Sequence, residues 1–252
     1  MIDSKVFNVG AQAKPAPAPR LIVAGATGVL GSEVLRRLAG SGRYAHTQIL
    51  AREPMASSLA QVSMTEVTGD CLQWQPLLAQ VGVVMFEPPR LYFERERALW
   101  TPAPEQLLPL ARWLKRCGVH TLAVVVPHAQ GRLPDAIKRG LANLDEHALS
   151  AMGFERLLLV RAAQKMPAAG TTGLLDKTAA WMLGIMSYMI PASEQPVRPS
   201  KLAEFVDIAL EHLPPGTHVA APELLWRAAG PGETGLVVKA WLNGINPQHP
   251  TV

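Results

Sequence analysis

The stretch "LIVAGATGVLGSEVLRRL", Leu21 to Leu38, limits what this chain can fold into more than any other. Gly25, Gly28 and Gly31 stand at three-residue intervals between a short apolar run and an amphipathic one, a GxxGxxG pattern. At a strand-to-helix junction the first glycine permits a tight turn, the second lets the backbone approach a bulky anion, and the third lets helix and strand pack closely. A helix beginning near Gly31 would add the positive end of its dipole. Gly25, Thr27, Gly28, Val29, Leu30 and Gly31 are therefore candidate contacts for the pyrophosphate of a dinucleotide. The competing explanation is a glycine-rich turn that holds no ligand.

Short apolar runs recur along the chain: "RLIVAG", "HTQILA", "SMTEVTGD", "GVVMFE", "HTLAVVVP" and "RLLLVRA". Near-continuous Val, Ile and Leu suit strands buried on both faces of a parallel sheet. Helical spacing of apolar residues lies between them, at about Gly31 to Ser41, Leu72 to Gln80, Pro104 to Cys117 and Pro134 to Met152. Such alternation implies right-handed crossovers and an α/β fold with a doubly wound parallel sheet. After "RLLLVRA" the pattern changes to two helices, about Asp176 to Met189 and Pro199 to His212, followed by the apolar segment "LLWRAAG". The expected organisation is a flexible leader over 1–19 and one domain over 20–252, with 170–252 forming a small C-terminal helical lobe on the substrate side.

The end of the second strand discriminates between cofactors. An acid there binds the ribose 2′-hydroxyl of NAD, whereas an arginine pairs with the 2′-phosphate of NADP. "QILAREP" places Arg52 at that point, 21 positions after Gly31, so NADP is favoured over NAD; an exposed Arg52 with no role is the alternative. Asp70 closes "VTGD" past the third strand, where it would either meet the adenine ring or cap the segment that follows.

Composition removes several classes. The 24 basic against 20 acidic residues are scattered singly or in pairs, with no basic run, so nucleic-acid binding is not expected. Two cysteines form no disulfide framework, and neither they nor the seven histidines have metal-ligand spacing, so no metal is expected and a cytoplasmic setting is the simplest expectation. "TAAWMLGIMSYMIPA", Thr178 to Ala192, is closed by Pro191 and is shorter than the roughly 20 residues a membrane span needs. Its Trp181, Met182, Met186 and Met189 suit a buried helix or a homodimer contact.

"GATGVLG", "LAR" after strand two and "GD" after strand three resemble the atypical and extended branches of the short-chain dehydrogenase/reductase superfamily. "ALSAMGFERLLLVRAA" and "QPVRPSKLAEFVDIAL" extend the resemblance over most of the chain from Arg20 onward. It implies a Rossmann core, a dinucleotide at the carboxyl ends of the strands, and oxidoreductase chemistry on a small carbonyl or sugar-like substrate. That chemistry uses a serine after strand five and a Tyr-x-x-x-Lys helix for proton exchange. Here Pro127 and His128 follow "TLAVVV", and Tyr44, Tyr92 and Tyr188 each lack a lysine four positions on. His128 and Lys138 are the candidate substitute acid pair, against a plain loop histidine and a solvated lysine. The alternative function is a catalytically degenerate redox sensor or partner-binding regulator. "FEPPRLYFERER" offers Arg90 to a substrate anion, although a solvated, charged helix start accounts for the same residues.

Overall fold

The computed structural model describes residues 17–57, 59–129, 147–164, 197–230 and 232–244, with backbone alone for 127–129 and 163–164. Seven strands form one sheet: β1 (Arg20–Ala24), β2 (His46–Ala51), β3 (Val62–Glu66), β4 (Val81–Met85), β5 (Thr121–Ala129), β6 (Arg156–Gln164) and β7 (Gly216–Ala220). Their spatial order is β3-β2-β1-β4-β5-β6-β7, and every pairing is parallel. The chain builds outward from β1 to β3 and then returns to β4, so the order reverses between β1 and β4. The crevice at the carboxyl ends of those strands is the topological switch point of a doubly wound fold.

Although the strands read as unbroken apolar runs, the pleat sorts their residues to two faces. Leu21 and Val23 of β1, with Val83 and Met85 of β4, pack beneath helices α1 (Gly28–Gly40) and, further along the chain, Pro199–His212. Ile22, Ala24 and Val84 face the opposite layer. There they meet Leu110, Trp113 and Leu114 of α3 (Leu107–Arg116), which follows the short α2 (Glu94–Arg97). We number Pro199–His212 as α4, Pro222–Ala228 as α5 and Thr234–Leu242 as α6. Asp207 of α4 is buried and ties that helix to the first layer: Arg37 of α1 donates to it at 3.0 Å, and Arg43 pairs with the same carboxylate.

Four sequence expectations change. Leu72–Gln80 is not a helix; a 3₁₀ turn over Cys71–Gln73 gives way to extended chain at Trp74. Pro76 cannot donate to a helical ladder. The neighbouring polar groups are also engaged elsewhere, with the Trp74 indole N–H on the Thr68 carbonyl at 2.8 Å and the Leu77 N–H on Cys117 Sγ at 3.2 Å. Helix α1 begins at Gly28 rather than Gly31, and β3 stops at Glu66, short of Asp70. Beyond β6 the sheet gains a strand the sequence did not reveal, because β7 is a half-exposed edge beginning in glycine and lacks an alternating pattern. The expected Asp176–Met189 helix lies outside the described residues, as does most of Pro134–Met152, of which 147–151 is helical.

Candidate functional site

The turn between β1 and α1 has the form its glycines require. Gly25 and Gly28 have φ of 75° and 71°, the left-handed region that side chains rarely adopt. A Cβ on Gly25 would lie 1.9 Å from the carbonyl oxygen of Met85, so β4 runs directly against this backbone. A Cβ on Gly31 would lie 2.6 Å from the carbonyl oxygen of Gly25, which is why the helix can enter so close to the strand. Gly28 is different, because what fills the space above it is a side chain: a Cβ there would meet Glu87 Cδ at 2.2 Å.

Glu87 belongs to the segment leaving β4, which folds back over the turn. Thr27, fully buried, donates its hydroxyl to the Glu87 carbonyl and lies 2.8 Å from the Thr101 hydroxyl. The Glu87 carboxylate accepts the Leu30 N–H at 2.6 Å, and Glu96, only 6% exposed, accepts the Gly28 N–H at 3.0 Å. No acid of α1 itself stands in its first turn. Two carboxylates from another segment therefore satisfy N–H groups that a helix start leaves without intrahelical partners. Further along, Ala98 accepts from the Arg52 N–H at 2.7 Å, Trp100 donates to the Leu50 carbonyl at 2.9 Å, and the Gly25 N–H donates to the Trp100 carbonyl at 3.1 Å. Segment 87–101 is thus stitched across the carboxyl ends of β1 and β2.

Glu96 is the hub of this segment. Its oxygens also accept the Arg90 N–H at 3.0 Å and Arg90 Nε at 2.8 Å, while the Arg90 guanidinium lies 3.8 Å over the Phe93 ring. Burial pushes the Glu96 carboxyl upward in pKa, but hydrogen bonds from the Arg90 side chain and from the Arg90 and Gly28 amides outweigh it, leaving the pKa below the ordinary value. A group depressed in the folded state adds stability above its unfolded pKa of about 4.3 and loses it as pH falls through the folded value. Urea titrations should therefore show wild type more stable than Glu96→Gln above about pH 5, with the gap closing below about pH 4. A gap independent of pH would remove Glu96 as the titrating group.

The other sequence candidates fall in several places. Gly25, Thr27, Gly28, Val29, Leu30 and Gly31 form one continuous turn, and Val29 is 44% exposed at its rim. Arg52 follows β2 with an exposed side chain, and among the described residues its guanidinium has no ion pair. Asp70 caps the 3₁₀ turn by accepting the Leu72 N–H at 3.0 Å. His128 is described as backbone in β5, and Lys138 lies outside the described residues. Arg90 is committed to Glu96, so "FEPPRLYFERER" is neither an open anion site nor simply a solvated helix start. Glu87 and Glu96 were missed; the available signal was an acid two residues beyond a buried strand that ends at the crevice. Among the described residues no cluster of three or more His, Cys, Asp or Glu could hold a metal, and no helix is long and apolar enough to cross a membrane.

No family model and no curated protein matches the sequence. Solved structures do match it. A nucleoside-diphosphate-sugar epimerase from Staphylococcus aureus is 14% identical over 92% of each chain, with a TM-score of 0.49. The Citrobacter sp. triphenylmethane reductase complexed with NADP(H) is 18% identical over 75% of this chain and 65% of its own, with a TM-score of 0.46. The Bordetella bronchiseptica enzyme WbmG in complex with NAD is 12% identical over 86% of this chain and 79% of its own, with a TM-score of 0.43. The likeness is one of fold.

Proposed function

We propose that this protein binds a nicotinamide dinucleotide, with NADP(H) preferred, in the crevice above β1, β2 and β4. One observation carries the proposal: the glycine turn opens backbone N–H groups at the start of a 13-residue helix, and at Gly28 the missing Cβ leaves room for an anionic group, which Glu87 fills. A pyrophosphate needs the same two provisions. The Val29 and Leu30 N–H groups would hold it in the space that Gly28 leaves, beside Gly31, and Arg52 would pair with a 2′-phosphate. When bound, the cofactor would supply hydride chemistry.

Arg52→Ala should weaken NADP(H) binding by about 1–3 kcal/mol and leave NAD(H) unaffected, the scale of one hydrogen bond to a charged group. Calorimetry showing no NADP preference in wild type and no change in the variant would refute the assignment. In a reductase, His128 and Lys138 would serve as the proton source. The regulator reading draws support from the tyrosines: Tyr44 is buried in the core at 8% exposure, and Tyr92 points outward at 94%. NADPH oxidation in a carbonyl-substrate screen, lost in His128→Ala or Lys138→Ala, would establish the reductase; binding with no turnover across the screen would favour the regulator.

A further inference from the structure

We infer that Glu87 is an internal competitor for the phosphate-binding amides, a carboxylate clasp that a dinucleotide must displace. The inference rests on the dinucleotide reading and concerns what that site costs its ligand. The Glu87 carboxylate takes the Leu30 N–H at 2.6 Å, and its Cδ, Cγ and Oε2 lie 2.2 to 2.4 Å from where a Cβ of Gly28 would be. An anion bound at this turn would need that amide and that space. Two negative groups cannot share them, since close like charges repel strongly where solvent is scarce.

The clasp is built to release at its tip. Thr27 anchors the Glu87 backbone through its carbonyl, so the carboxylate can swing away by side-chain rotation while the chain stays in place. Among the described residues the Leu30 N–H is the single hydrogen-bond donor to that carboxylate. Glu96, by contrast, is held by the Arg90 side chain, the Arg90 and Gly28 N–H groups and the Ser32 hydroxyl, and it stays as the fixed member. The geometry therefore assigns Glu87 the part of a removable stand-in for a phosphate oxygen, and its position makes affinity for phosphate ligands weaker than the bare turn would give.

Glu87→Gln keeps size and a neutral acceptor but removes the charge. Measured by calorimetry on the full chain, it should bind NADP(H) and inorganic pyrophosphate about tenfold or more tightly than wild type, the scale of one charge-assisted hydrogen bond, while adenosine binding is unchanged. In the ligand-free protein the Leu30 amide should exchange faster in Glu87→Gln, with Glu87→Ala as a second variant showing the same two effects. Equal or weaker affinity in both variants would overturn the clasp and leave the dinucleotide reading standing. No NADP(H) or NAD(H) binding by wild type, Glu87→Gln or the Glu87→Gln/Glu96→Gln double variant would overturn the dinucleotide reading, and the competition with it.

Discussion

Gly25→Ala should cost the protein a large part of its stability. The added methyl would sit 1.9 Å from the Met85 carbonyl oxygen and 2.7 Å from its carbon, and both belong to the backbone of a central strand that cannot step aside. Its φ of 75° adds the penalty of a left-handed residue. Strain of about 1–3 kcal/mol from φ, with a similar amount from forced displacement of β4, approaches the ~5–15 kcal/mol stability of an ordinary domain. Gly42→Ala separates the two effects: Gly42 has φ of 70° but no atom within 4 Å of an added Cβ, so it should lose only the conformational part. Urea unfolding of the pair measures the difference. Equal losses at both positions would show that β4 does not press on the turn.

Gly28→Val should instead keep the fold and lose the ligand. Here the added carbons meet the end of the Glu87 side chain, which can rotate outward, so the stability cost is mainly the φ strain of about 1–3 kcal/mol. The space above the Leu30 amide would then be filled by a branched aliphatic group. NADP(H) affinity should fall by about 100-fold or more, equivalent to about 2.7 kcal/mol. A folded Gly28→Val that binds NADP(H) like wild type would place the dinucleotide elsewhere.

The contrast between these two glycines shows what the sequence made legible. GxxGxxG after an apolar run announces a strand, a turn and a helix, and all three are present, because each glycine answers a local steric demand. The sheet was legible for a related reason: short runs such as "LIVA" and "GVVM", repeated between helical segments, suit strands covered on both faces. Legibility failed where a distant contact decided the outcome. "CLQWQPLLAQ" has helical spacing, yet Pro76, the Trp74 indole and Cys117 hold it extended. β7 is recognisable as a strand only through its pairing with β6.

The site failed in the same way. "FEPPRLYFERER" looks like a solvated, charged loop, since nothing local distinguishes Glu96 from Glu94. Only the return of the chain across α1 buries the first of these against Gly28 and sets Glu87 above Leu30. The carboxylates are 57 and 68 positions from the amides they occupy, a separation no short motif encodes. The three glycines are legible as an anion cradle; that the chain supplies its own anion is a tertiary fact.

Dinucleotide binding at this site requires that the backbone amides of the turn receive the ligand. The most direct measurement is titration of the ¹⁵N-labelled chain with NADP(H), following the amide resonances of Gly28, Val29, Leu30 and Gly31. Saturable shifts are expected at these amides, among the largest in the spectrum, as the Glu87 carboxylate leaves Leu30. Saturable binding that leaves them unmoved, or no binding at millimolar NADP(H) by wild type and Glu87→Gln alike, would contradict a dinucleotide at this turn.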